Sequence, residues 1–247
     1  NDASFTLLLK LTFNENVTMK KILAALLLTL PTMAMAIDLD GYYITAKGGV
    51  SKTLDTGTMS YISGETETLN NEDLGTGIAF GFSAGRYITD NLRLELEVIK
   101  RTSYELDTSL ESNRTTTLKG DIDSNSVFIN GFYDFQPFSI SNTAITPYLG
   151  GGLGISRNEM GTVTETTAEG ITNLDGKKIN QFVYKVSAGT LVSLTESLSF
   201  DINYQYVNLG SFKSGVNAGA AGTLDKPLNE GEIKTQELMV GLQYTFK

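Results

Sequence analysis

Residues 92–99 read L-R-L-E-L-E-V-I. Glu95 and Glu97 stand two apart, and on an extended chain residues two apart share a face. Two carboxylates on one face can do general acid–base work. The same pair can instead anchor an interior salt network, because buried charges must be paired. Lys47, Arg93 and Lys185 supply the cations, with Glu95 and Lys185 as the expected couple. Composition favours the network. The chain has no His and no Cys. It therefore lacks the group that titrates near neutrality and the usual partner of a Ser or Cys nucleophile. It also lacks disulfides and thiolate metal sites. The G-G-G run at 150–152 precedes neither a helix nor a Lys, so it is no phosphate loop. Asp55, Glu65, Glu67, Glu72 and Asp73 offer oxygen ligands to a hard cation, but without the spacing of a calcium loop. They read as a solvated acidic loop. A formal charge of -9 excludes the basic surface that nucleic acid needs. No cofactor and no metal is expected.

The charges must be held by strands. Residues 198–206 read L-S-F-D-I-N-Y-Q-Y, with Phe200, Ile202 and Tyr204 on one face and Asp201, Asn203 and Gln205 on the other. Seven more alternating segments lie at 42–51, 77–87, 92–99, 126–135, 145–155, 182–192 and 237–246. Each is about the ten residues that a tilted membrane strand needs. Tight connections at 88–91 and 193–197, and a moderate one at 136–144, alternate with long ones at 52–76, 100–125, 156–181 and 207–236. Soluble domains rarely carry four such loops, whereas outer-membrane barrels pair short periplasmic turns with long outer loops.

The polar faces hold Lys47, Arg93, Glu95, Glu97, Asp134, Lys185, Asp201 and Glu237, interleaved with Gly49, Gly81, Gly85, Gly152, Gly189 and Gly241. Glycine weakens a solvent-washed strand. A narrow lumen, in contrast, needs small residues beside paired charges. The expected fold is thus all-β: an eight-stranded antiparallel transmembrane barrel, polar inside and apolar outside. A ten-strand variant, with one long loop forming a hairpin, is the structural alternative. Tyr42, Tyr87, Tyr133, Phe135, Tyr148, Tyr204, Tyr206, Tyr244 and Phe246 are expected in aromatic girdles at the two interfaces.

Residues 19–36, M-K-K-I-L-A-A-L-L-L-T-L-P-T-M-A-M-A, combine a basic start, a short apolar run and an Ala-Met-Ala end. This is the pattern of a secretory signal peptide. Residues 1–18 are expected to be upstream translation without structural role, and 37–247 the barrel domain.

With P-Y-L-G-G-G-L-G at 147–154, L-T-E-S-L-S-F-D-I-N-Y-Q-Y at 194–206 and L-M-V-G-L-Q-Y-T-F at 238–246, nearly all of the chain from residue 37 resembles the opacity-protein and OmpA-type outer-membrane barrels. The resemblance implies a Gram-negative outer-membrane location, and an even strand count returns both termini to the periplasmic side. It implies a terminal aromatic, here Phe246 before Lys247, that the barrel assembly machinery reads. Outer-membrane lipid, lipopolysaccharide and host surface molecules are the implied partners. The implied role is structural or adhesive, through the outer loops. A small low-conductance porin is the alternative. A membrane-embedded enzyme is remote, since the enzymes of this barrel type use a His that this chain lacks.

Overall fold

The computed structural model describes residues 39–54, 60–63, 65–68, 74–109, 116–168, 170–216 and 233–247. The expected signal peptide, the stretch before it, and Asp55, Glu72 and Asp73 lie outside them. Among the described residues thirteen strands follow in order. They are β1 Tyr42–Thr53, β2 Ser60–Ser63, β3 Glu65–Thr68, β4 Thr76–Tyr87, β5 Leu92–Ser109, β6 Thr117–Asp134, β7 Phe138–Ile140, β8 Thr143–Met160, β9 Val163–Thr167, β10 Gly170–Leu174, β11 Lys177–Ser193, β12 Leu198–Gly210 and β13 Ile233–Thr245. Eight of them close a barrel in the order β1-β4-β5-β6-β8-β11-β12-β13, and β13 returns to β1. Every neighbour is antiparallel. The ten-strand alternative is not adopted. β2 and β3 form their own hairpin, and the β9–β10 hairpin hangs on the far end of β6.

One end of the barrel carries short turns, and two of them work alike. In I-T-D-N-L the Thr89 hydroxyl accepts from the amides of Asn91 and Leu92 at 3.3 and 3.1 Å. In L-T-E-S-L the Thr195 hydroxyl accepts from Ser197 and Leu198 at 3.3 and 3.0 Å. A Thr that satisfies the turn's own amides fixes where each strand reverses. The 136–144 connection contains β7, which pairs with the start of β8.

The alternation faces the way the glycines demand. Leu94, Leu96, Ile129, Leu153, Phe182 and Val240 point outward, with Ile129 68% and Phe182 67% exposed. Arg93, Glu95, Asn130, Asp201, Asn203 and Gln205 are buried inside. The exterior is the apolar belt of a barrel that meets lipid. Tyr148 departs from expectation. It shares a face with Gly150 and Gly152, so it lies buried in the lumen instead of a girdle.

The other end departs further. The stretches 100–125 and 156–181, expected as long connections, are mostly strand. Their alternation continues with its polarity reversed: Glu105, Asp107 and Asp121 point outward, while Tyr104, Leu106, Leu118 and Ile122 are buried inside. Val163, Leu174 and Phe212 complete an apolar plug above the polar lumen. A β-bulge makes this possible. Arg101 pairs with Ser124 but Tyr104 pairs with Ile122, so β5 spends three residues against two, with Ser103 at φ 69°. Odd-numbered residues face inward up to Arg101, and even-numbered ones from Tyr104. A bulge is the standard way to re-aim side chains along a strand.

Large lumen side chains face glycines on the next strand. Lys47 stands opposite Gly81 and Gly241, Lys185 opposite Gly152, and Tyr148 opposite Gly189. A Cβ on Gly189 would come within 2.4 Å of the Tyr148 ring. Gly189→Ala should therefore destabilise the barrel by about 1–3 kcal/mol, as overpacking does. The measurement is the urea midpoint of unfolding from a lipid bilayer. An unchanged midpoint would show that the ring has room to move.

Candidate functional site

The lumen charges form three tiers. Nearest the turns, the Arg93 Nε donates to Asp134 at 3.0 Å and its Nη1 to the Gln243 side chain at 3.2 Å. The guanidinium lies over the rings of Phe132 and Tyr148, 4.5 and 4.6 Å from their centroids. Arg at such a desolvated site combines a fixed fork of donors with stacking on rings.

In the middle tier Glu97 takes two cations. Lys47 Nζ lies 2.8 Å from its Oε1, and Lys185 Nζ contacts its Oε2. Lys47 also reaches Glu95 at 3.5 Å. Asn130 Nδ2 donates to both carboxylates, at 3.0 and 3.1 Å. The expected couple of Glu95 with Lys185 is thus displaced by one place, because Lys185 meets Glu97. Asp201, on the next wall, accepts from the Tyr148 hydroxyl at 2.6 Å.

In the third tier Glu237 is saturated. Arg101 grips it through Nε at 2.5 Å and Nη2 at 3.2 Å. Ser51 and Thr235 hydroxyls donate at 2.7 and 2.9 Å, and Gln205 Nε2 at 2.5 Å. Arg101 is the residue that sequence reasoning missed, having placed it in an outer loop. The signal was present: Glu97, Ile99 and Arg101 continue one face at a spacing of two.

Geometry settles what this arrangement can do. Glu95 and Glu97 are buried beneath 5% exposure and held by lysines. Each carboxylate is therefore held as a counter-ion. Among the described residues no group of three or more Asp and Glu is placed to hold a metal ion.

Glu97 is the hinge of the middle tier. Glu97→Gln would leave two buried ammonium groups around one remaining carboxylate. Breaking such a pair costs about 3–5 kcal/mol, so the urea midpoint should fall accordingly. Adding Lys185→Met should restore about 1 kcal/mol or more over the sum of the single effects. Strict additivity would show that the two side chains are not coupled.

The fold has relatives. Solved structures of similar architecture include the outer membrane protein OprG from Pseudomonas aeruginosa, with TM-score 0.55 and 17% identity. The alignment covers 84% of this chain and 96% of that one. Neisserial surface protein A follows at TM-score 0.50 and 19% identity, covering 84% and 98%. Among curated proteins, the outer membrane protein PagN of Salmonella typhimurium is 24% identical over 225 residues, covering 84% of this chain and 90% of its relative. Residues 22–246 match the outer membrane protein beta-barrel domain. With a closed eight-stranded wall, an apolar exterior and a paired polar lumen, the chain belongs to the outer membrane protein beta-barrel family of Gram-negative bacteria.

Proposed function

We propose that the chain is a non-enzymatic surface protein of the outer membrane that acts through its loop end, in the manner of an adhesin or opacity protein. The filled lumen carries this reading. Each of its cations is paired with a carboxylate across the tube, and an apolar plug lies above them. Eight strands leave room for little beyond their own side chains. Function then falls to what projects past the belt: the long ends of β5, β6, β8 and β11 and the β9–β10 hairpin. Ile171 on that hairpin is 70% exposed, an apolar contact held in water.

In this reading both termini are periplasmic, on the side of the short turns. Phe246, packed edge-on against Tyr244 at 5.1 Å, is the aromatic that the assembly machinery reads. Lipid and lipopolysaccharide surround the belt, and host surface molecules meet the loop end.

Two measurements test the proposal. The chain has no Cys, so introduced thiols are unique. Lys119→Cys, at the loop end, should be labelled on intact cells by an impermeant maleimide, and Glu196→Cys, in a turn, only after lysis. The reverse pattern would invert the orientation. In planar bilayers the refolded protein should be silent. Steady current steps altered by Glu95→Gln or Lys185→Gln would make the small-porin reading the better one.

A further inference from the structure

The belt ends sharply on the face built by β5, β6, β8 and β11. Val98, Val127, Ile155 and Phe182 are cross-strand partners in one apolar row. Two residues further toward the loop end, the next outward row is Lys100, Asn125, Arg157 and Asn180, again in direct register. A third row places Asp123 opposite Glu159 and Glu159 opposite Lys178.

Most of these charges are occupied. Lys100 lies 3.6 Å from Asp123, and Lys178 lies 2.6 Å from Glu159. Arg157 is exposed and makes no ion pair among the described residues. Three cations face two carboxylates, and the excess is Arg157. Further out, Glu105 and Asp121 stand opposite each other and repel anions. An anion on this face therefore belongs at the row of Arg157, directly above the apolar row.

We infer that this face docks the phosphorylated head of lipopolysaccharide, with Arg157 gripping a phosphate and the acyl chains lying on Ile155, Leu153 and Phe182. A guanidinium fork matches a phosphate in two parallel hydrogen bonds. Asn125 and Asn180 flank it on both sides and supply amide donors. Lipid is the occupant because the anion site and the apolar row are continuous: a phosphate at Arg157 brings its own acyl chains onto Ile155, which is 54% exposed. The inference rests on the proposed orientation, which puts the loop end in the outer leaflet.

The test titrates the folded full chain in detergent micelles with bisphosphorylated lipid A, with the same lipid dephosphorylated, and with inorganic phosphate, read by native mass spectrometry. The phosphorylated lipid should bind about tenfold tighter than the dephosphorylated one, the scale of one charge-assisted contact. Arg157→Gln should abolish that preference, and Arg157→Lys should keep part of it. Lys119→Gln removes the same charge away from the belt and should leave the preference whole. A heat-dependent gel shift reports folding of each variant, and Arg157→Lys carries the test if Arg157→Gln does not fold. Equal binding of both lipids overturns the inference, as does a preference that survives Arg157→Gln. Displacement of lipid by millimolar inorganic phosphate would also overturn it, by showing a free-anion site. Binding in micelles is independent of which end faces outward. A failure here would leave the surface-protein reading standing, and an inverted orientation would leave the phosphate preference intact.

Discussion

Closing eight strands leaves a tube filled by the side chains of its own wall. That width governs the rest of the molecule. A charge turned inward cannot be solvated, so its partner must reach it from another strand. Lys47 on β1 meets Glu97 on β5, and Arg101 on β5 meets Glu237 on β13. Such bonds tie distant parts of the chain together across the lumen. They also consume volume, and the glycines opposite Lys47, Lys185 and Tyr148 give that volume back. The polar lumen and the glycine-rich strands are thus one requirement seen twice.

The barrel changes its driving force along its length. Within the belt, apolar side chains point at lipid, and the interior combines ion pairs and hydrogen bonds with a few buried apolar side chains, Ile99, Phe128, Val183 and Met239. Beyond it the exterior meets water, and the interior becomes the apolar plug of Tyr104, Leu106, Leu118 and Ile122. Burial there gains about 25 cal/mol per Å² of apolar surface, as in a soluble protein. The two regimes meet near the Ser124, Ser156 and Asn158 cluster. Here serines bond one another at 2.7 Å, and Asn158 donates to the Leu209 carbonyl. Neutral polar side chains make the junction without adding a charge.

Much of this was legible in the sequence. Alternation over residues 92–99 and 198–206, together with the glycines, fixed which face turned inward, and the short turns fixed strand order. The loop-end half of β5 was hidden by two local effects. Lys100 and Arg101 are adjacent charges that read as loop, yet they point to opposite faces at the edge of the belt. The bulge at Ser103 then shifts the period by one, so Glu105 and Asp107 seem to break a pattern that they continue. Tyr148 was misplaced for another reason. Aromatic residues mark an interface only on the lipid face, and the parity of Gly150 and Gly152 had already assigned this one inward. The pairing of Lys185 with Glu97 instead of Glu95 depends on how strands stagger across the lumen, which one strand's own pattern does not encode.

The bulge also sets a rule for how this end of the barrel can vary. It acts as a reading-frame change in three dimensions: one added residue exchanges inside for outside over all that follows on the strand. A lineage that lengthens or trims the loop-end half of β5 in pairs of residues keeps the plug dry and the acids wet. A change of one residue must be matched by losing the bulge or gaining another. Length variation on this side of the barrel is thus quantised, while the hairpin carried by β6 must keep Val163 and Leu174 in the plug and can vary at its exposed tip.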